Sequence, residues 1–410
     1  MQVNLNKDSN LTWEKKQNRK KIGFIGAACS LAVVYAASSA PIPLYNSYRQ
    51  TIGLTNGDLA MTSVAYFVGT VITLLMFARL SNYLGRRPVV LVTLGLAMIG
   101  CLMFFYIHNA PMFLIGRLIQ GFSCGLASST VTTYIIDNAP ESPGWIGAAV
   151  TSAAPMIGLA VGAFGSGALK QYGSGSLSLI FGILIVALAG CVVLITLSPE
   201  TVTRKRGAVA SIVPQIRLPQ NIRSLLPAAS ATFVGTWAIG GFYQAFSAPM
   251  AAEQLGTTNT MIAAAVFAGM MAPNVIGGSL AGRMKTTIAQ RMGMSVFFLS
   301  LLVIIASLRA GAVVPFLVAG IFAGAAWGAA FTGSLRGILN KTSQEDRAGV
   351  LSTVYLISYS GAAIPNLIVG RLPKTINLFE IALGYGLLVA VASIITLVTA
   401  RQGTEGQCNR

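Results

Sequence analysis

Twelve times along its 410 residues the chain runs apolar for about twenty residues, the length a helix needs to cross a hydrocarbon core roughly 30 Å thick. The runs fall near 22–44, 59–78, 88–107, 111–136, 145–169, 176–197, 226–251, 258–281, 292–308, 312–335, 349–370 and 378–400. Backbone polar groups inside a bilayer must be paired within the segment that carries them, so each run is predicted to be a helix. Charged residues make up only 10% of the chain, against roughly 25% in a soluble domain, and the connections are too short to hold one. The expected fold class is an all-α, multi-pass membrane protein.

The net charge of +17 invites a nucleic-acid reading, which the placement of the charges removes. With the N-terminus in the cytoplasm, 22 of the 28 Lys and Arg residues, Lys7, Lys15, Lys16, Arg19, Lys20 and Lys21 among them, fall on the cytoplasmic side. Arg49, Lys170, Arg309, Arg371 and Lys374 fall outside, and Arg117 alone lies within a span. This is the positive-inside pattern, with both termini cytoplasmic. Cys29, Cys101, Cys124 and Cys191 lie in apolar spans and read as small buried hydrophobes, and Cys408 lies in the tail, so no disulfide framework is expected. The basic, then apolar, then small-residue order at the N-terminus imitates a cleavable signal peptide.

An internal repeat argues against cleavage. "YAASSAP" at 35–41 returns as "YQAFSAP" at 243–249, an offset of 208. "GLTN" at 53–56 returns as "GTTN" at 256–259, and Gly121 and Gly125 return as Gly324 and Gly328, now at an offset of 203. The chain therefore divides into a tail (1–21), a six-span half (22–197), a basic linker (198–225), a second six-span half in the same orientation (226–400) and a tail (401–410). Parallel repeats of this kind build transporters. The first span of each half is expected to break near its proline, Pro41 or Pro249, and to line a cleft between the halves.

Two stretches carry a family resemblance: "ARLSNYLGRRPVVL" at 78–91, where Leu80, Gly85, Arg86 and Arg87 match a signature loop, and "GRLIQGFSCG" at 116–125, where Arg117, Gln120 and Gly121 match a signature of the fourth span. On these the chain resembles a major facilitator superfamily transporter, most like its twelve-span drug/proton antiporter branch. The resemblance implies two pseudo-symmetric six-helix bundles, alternating access and a conformational latch at Asn82, Gly85, Arg86, Arg87 and Asp137. Asn82 stands where the signature has an aspartate, so that latch is expected to lack its charge and to lean on Arg86 and Arg87. "APMIGLAVGAFGSG" at 154–167 is similar to the antiporter signature of the fifth span, keeping Gly158, Gly162 and Gly167 but placing Ala163 at its proline. Those glycines serve either close helix packing or coupling.

A mid-span charge costs roughly 2.5–3.5 kcal/mol on insertion scales, so Arg117 has a use. It either caps carbonyls of a broken neighbouring helix or binds an anion or modulates a proton carrier. No acidic residue lies mid-span to neutralise it: Asp58, Asp137, Glu253 and Glu380 all sit at span ends, and Asp58 fits a capping box at 55–58 as well as a coupling role. His108, the single histidine, is either a solvated interfacial residue or a pH-responsive one. Tyr35, Ser39, Gln120, Trp237, Tyr243 and Gln244 are candidate wall residues, joined by Asn274, Trp327, Tyr355, Tyr359 and Asn366.

A positive, carboxylate-free, aromatic cleft suits an amphipathic neutral or anionic small molecule. The expected function is proton-coupled efflux of such a molecule from a monomer in a bacterial inner membrane. The alternatives are uptake by symport and, more remotely, a receptor or scaffold. No metal, cofactor or nucleic acid is expected. An ATP-driven pump would need a Gly-Lys phosphate loop, and that dipeptide never occurs. Membrane hydrolases and acyltransferases would need more than one histidine.

Overall fold

The computed structural model describes residues 2–173, 176–214, 216–373 and 375–400, with side chains from Gln17 onward. Lys374, Cys408, the 401–410 tail and the side chains of Lys7, Lys15 and Lys16 lie outside the described set. Among the described residues, twelve helices are long and apolar enough to span a bilayer: α1 (Gln17–Ile52), α2 (Asn56–Phe77), α3 (Arg86–Phe105), α4 (Ala110–Asn138), α5 (Ile146–Tyr172), α6 (Leu177–Leu197), α7 (Gln220–Gln254), α8 (Thr260–Ala281), α9 (Thr286–Ala310), α10 (Val313–Leu339), α11 (Arg347–Val369) and α12 (Leu378–Thr399). No strand occurs among the described residues.

Helices α1–α6 pack mainly on one another, as do α7–α12, giving two bundles. α3, α6, α9 and α12 are the four most apolar helices. They sit on the periphery and make no substantial contact with the opposite bundle, whereas the seam is built by α1, α2 and α5 against α7, α8 and α11. Hydropathy therefore sorts lipid-facing helices from cleft-facing ones. The two longest helices, α1 and α7 at 36 and 35 residues, open the two halves.

Their prolines act differently. α1 breaks as expected: the α-helix ends at Ser39, a 3₁₀ turn covers Ile42–Leu44, and the helix resumes at Tyr45. α7 does not break at Pro249. It runs on into a π turn over Met250–Gln254, closed by the Leu255 amide donating to the Met250 carbonyl at 3.0 Å. The carbonyl left without a proline N–H is that of Ala245, upstream of the π turn, and the helix passes it unbroken because the next amide, Met250, already donates to the Phe246 carbonyl.

Close approach of α5 to α1 follows from its glycines. A Cβ on Gly158 would lie 2.2 Å from the Ala32 carbonyl oxygen, and one on Gly162 would lie 2.1 Å from that of Ala36. Gly167 does the same across the seam, with a Cβ there 2.9 Å from the Thr260 carbonyl oxygen on α8. Of the cysteines expected to be buried, Cys101, Cys124 and Cys191 are, but Cys29 is exposed, since it lies on the face of α1 turned away from the core.

The linker is tied to the second bundle by Arg217, whose Nη1 donates to Asp346 Oδ1 at 2.7 Å. That bond and one from the Ser343 hydroxyl hold the Asp346 carboxyl below the usual carboxylate range.

Candidate functional site

Pro41 has no N–H, so the Ala37 carbonyl loses the donor that an unbroken helix would supply four residues on. Two side chains of α4 fill the gap. Gln120 Nε2 donates to the Ala37 carbonyl at 2.8 Å, and Arg117 Nη1 donates to the Ser38 carbonyl at 2.6 Å and to Gln120 Oε1 at 2.7 Å. Arg117 is fully buried, its guanidinium carbon 4.9 Å from the centre of the Tyr66 ring. A desolvated contact of that kind contributes about 2 kcal/mol. Its Nε and Nη2 have no hydrogen-bond partner, and no carboxylate touches it. The carbonyl-capping geometry foreseen for Arg117 is thus present, with two donors left over.

Beside this clamp the bundles face each other through aromatic side chains. Trp237 of α7 meets Tyr359 of α11 edge-on at 4.5 Å between centroids and Trp327 of α10 at 5.8 Å, and Phe67 of α2 reaches Tyr359 across the seam at 5.8 Å. Tyr355 lies a helical turn from Tyr359 at 6.2 Å. Tyr35 shares a 2.6 Å hydrogen bond with Ser128 of α4. Tyr35, Ser128, Trp237 and Tyr355 keep partial exposure although they lie deep in the molecule, so they line open space. The Trp237 indole N–H is unpartnered.

Other candidates sit elsewhere. Tyr243 is fully buried within the second bundle, stacked on Phe316 at 6.3 Å, on the face of α7 turned from the cleft. Asn366 donates to the Ala362 carbonyl of its own helix at 2.9 Å, and its Oδ1 is unpartnered. Ser39 bonds its own helix at Ala36, and Asn274 presses its backbone carbonyl on Gly328. Asp58 is engaged in the capping box at the start of α2, where Thr55 N and Oγ1 donate to it at 2.8 and 2.7 Å. It lies eight residues from Tyr66, about 12 Å along the helix, and does not meet Arg117. His108 is exposed in the α3–α4 connection.

Among the described residues, the hydrogen bonds that join helices of the two bundles lie on the side away from the termini. Asn46 Nδ2 donates to the Ala248 carbonyl at 2.7 Å, Ser63 Oγ to the Gly241 carbonyl and to Gln244 Oε1 at 3.2 Å, and Thr260 Oγ1 to the Gly167 carbonyl at 2.8 Å. Arg49 pairs with Glu253 there. Toward the termini, α4 makes no substantial contact with α10 or α11. The far mouth is shut. The Arg49–Glu253 pair is about a third exposed and is therefore worth about 0.2–1 kcal/mol. Arg49→Glu should shift the population a few-fold toward a far-side-open form, and the exchange Arg49→Glu with Glu253→Arg should restore it. Distance probes across the far mouth read this, and an unchanged ratio in the single variant removes the pair from the gate.

The signature-loop residues do not reach α11 in this state. Arg86 Nε donates to Asp137 Oδ2 at 3.2 Å, Arg87 bonds the Thr196 carbonyl, and the amides of Arg86 and Arg87 donate to Glu200 at 2.8 and 3.0 Å. Asn82 is exposed. Gly85 has φ +99°, and a Cβ on it would lie 2.7 Å from Glu200 Oε2, so the turn into α3 requires glycine. The latch is expected from the sequence to lean on Arg86 and Arg87, and in this state both are held within their own bundle.

Tyr66, Phe67, Ser128 and Phe331 were not among the sequence candidates. Phe331 follows Trp327 by four residues and could have been found from that spacing.

The family model of the Major Facilitator Superfamily matches residues 27–365. The chain belongs to the major facilitator superfamily. Among curated relatives, the Quinolone resistance protein NorA of Staphylococcus aureus is 26% identical over 112 residues, covering 27% of this chain and 29% of that protein. An uncharacterized transporter of Rickettsia felis is 32% identical over 82 residues, covering 20% of each. The matches span less than a third of either relative. As a facilitator-superfamily member the chain is a multi-pass membrane protein of a transporter family whose members bind small-molecule substrates.

Proposed function

We propose that this protein is a secondary transporter that carries an amphipathic, neutral or anionic small molecule out of the cell by alternating access, driven by the proton gradient. The supporting observation is the cleft itself: an aromatic wall shared by both bundles, adjoining a buried arginine with unpaired donors and no carboxylate. Such a cleft disfavours lipophilic cations, which need a buried negative charge, and favours a flat apolar body with an acceptor group. The partial likeness to a protein named for quinolone resistance supports export. The moving bodies in this reading are residues 22–197 and 226–400, and the latch residues Asn82, Arg86, Arg87 and Asp137 engage α11 only when the termini side closes.

Transport should be measured in everted and right-side-out vesicles with an imposed pH gradient. Accumulation in everted vesicles that collapses with the gradient is expected, whereas gradient-driven accumulation in right-side-out vesicles would establish uptake instead. Trp237→Ala should weaken transport of flat aromatic substrates most. The orientation in this reading puts both termini in the cytoplasm of a bacterial inner membrane. In a chain cleared of native cysteines, Lys205→Cys should resist an impermeant thiol reagent in intact cells. Labelling as fast as at Lys374→Cys would reverse the topology.

A further inference from the structure

At the termini end of the second bundle, α7, α9, α10 and α12 enclose a cavity of about 740 Å³. Arg283, Lys285, Arg336 and Lys341 line it and no Asp or Glu does. None of the four takes part in an ion pair among the described residues. Arg336 is fixed over the cavity by donating Nη1 to the Ala281 and Met284 carbonyls at 2.8 and 3.2 Å. Thr286, Thr287 and Ile288, the first residues of the 25-residue α9, also face the cavity, and the preceding Lys285 offers no side-chain cap. Four cations and a helix N-terminus converge on one space.

The first bundle shows the same niche filled from within. There the Glu200 carboxylate accepts the first amides of α3, those of Arg86 and Arg87, at 2.8 and 3.0 Å, and Asp137 pairs with Arg86. The 203-residue offset that carries Gly121 onto Gly324 and Gly125 onto Gly328 carries Asp137 onto Asn340, which lines the cavity. The second niche thus has a helix N-terminus and cations of its own, at other positions than those of the first, and the neutral amide of Asn340 where the first has Asp137.

We propose that the phosphate of an anionic phospholipid occupies this cavity, in the place the Glu200 carboxylate holds beneath α3. Phosphate matches amides at a helix N-terminus together with flanking cations. The rim favours a lipid over a soluble anion: Ile288, at the cavity, and Met292, one turn along α9, are exposed apolar residues, and Val398 of α12 is exposed beside the lining residue Thr399. Acyl chains can follow that surface while the headgroup sits within.

The test uses the full chain in detergent, with lipid retention read by native mass spectrometry and stability by thermal melting. Phosphatidylglycerol should be retained and raise the melting midpoint, while phosphatidylcholine or inorganic phosphate at the same concentration should not. Arg283→Gln with Lys285→Gln should weaken phosphatidylglycerol binding roughly 30-fold. Asn340→Asp, which puts a carboxylate where the first bundle has Asp137, should also weaken it by placing a negative charge beside the phosphate, while the protein stays folded. Equal stabilisation by inorganic phosphate would assign the cavity to a soluble anion. Binding that emerges only when the chain is cut after Ala400 would assign it to a tail carboxylate such as Glu405. Either result, or unchanged binding in both variants, overturns the proposal.

Discussion

Arg117→Gln is expected to abolish gradient-driven transport in a protein that still inserts and folds, Arg117→Lys to retain a remnant, and Arg117→Ala to lower the melting temperature as well. The reasoning starts from the break in α1. The Ser38 carbonyl and Gln120 Oε1 both depend on Arg117 Nη1, and an unpaired buried polar group costs about 1–3 kcal/mol. Alanine leaves both without a donor and empties the volume of a fully buried side chain. Glutamine keeps a donor, and lysine keeps the charge but not the planar fork. Nε and Nη2 lack partners in the resting structure, so the guanidinium has capacity for a substrate acceptor that the carbonyl clamp does not use. Melting curves and vesicle transport together separate the two roles. If glutamine and lysine both lower the melting temperature while the surviving fraction transports at the normal rate, Arg117 is scaffold only.

Gly162→Ala should be far more damaging than Gly165→Ala, three residues away on the same helix. A methyl at 162 would lie 2.1 Å from the Ala36 carbonyl oxygen and 2.3 Å from Ser39 Oγ, whereas one at 165 meets nothing within 4 Å. Overpacking of this kind costs about 1–3 kcal/mol or more, and here it would push α1 at the residues just before Pro41, shifting Tyr35 and the Ser38 carbonyl. The exposed site should be neutral or gain up to about 1 kcal/mol from helix propensity. Melting and transport should both fall for Gly162→Ala only. Equal behaviour of the two variants would show that α5 moves away from α1 at little cost.

The spans and the two halves were legible because hydropathy and repetition operate over twenty or two hundred residues and leave little choice of structure. Span ends were less so: the third run, read from 88, begins at Arg86, and the ninth, read from 292, begins at Thr286, because helices continue into the interface where polar residues are welcome. Within the site, Arg117 and Gln120 were legible as buried polar groups needing partners. Tyr243 was misplaced because the match "YQAFSAP" identifies a segment but not which face of it turns to the cleft. The Arg49–Glu253 pair joins residues 204 apart, and neither sequence pattern nor charge count singles out such a partner. Pro249 behaved unlike Pro41 because local winding, not the proline alone, decides whether a helix ends.

That winding recurs in the first bundle, where α2 carries a π turn at Thr73–Phe77 and α4 another at Ala127–Val131. A π turn holds one residue more than the α turn it replaces, and one residue is about 100° of rotation. Counted by residue, everything on α4 beyond Val131 is therefore turned back by that angle relative to Arg117 and Gln120 above it, so the wide turn absorbs one residue. Removing a single residue between 127 and 131 should restore even winding and leave Asp137 facing Arg86, because the lost residue and the lost wide turn cancel. The azimuth of Asp137 is written into the pitch of the helix upstream of it, so inserting one residue there without a second wide turn is expected to swing the carboxylate off Arg86 and act as a charge mutation at a distance.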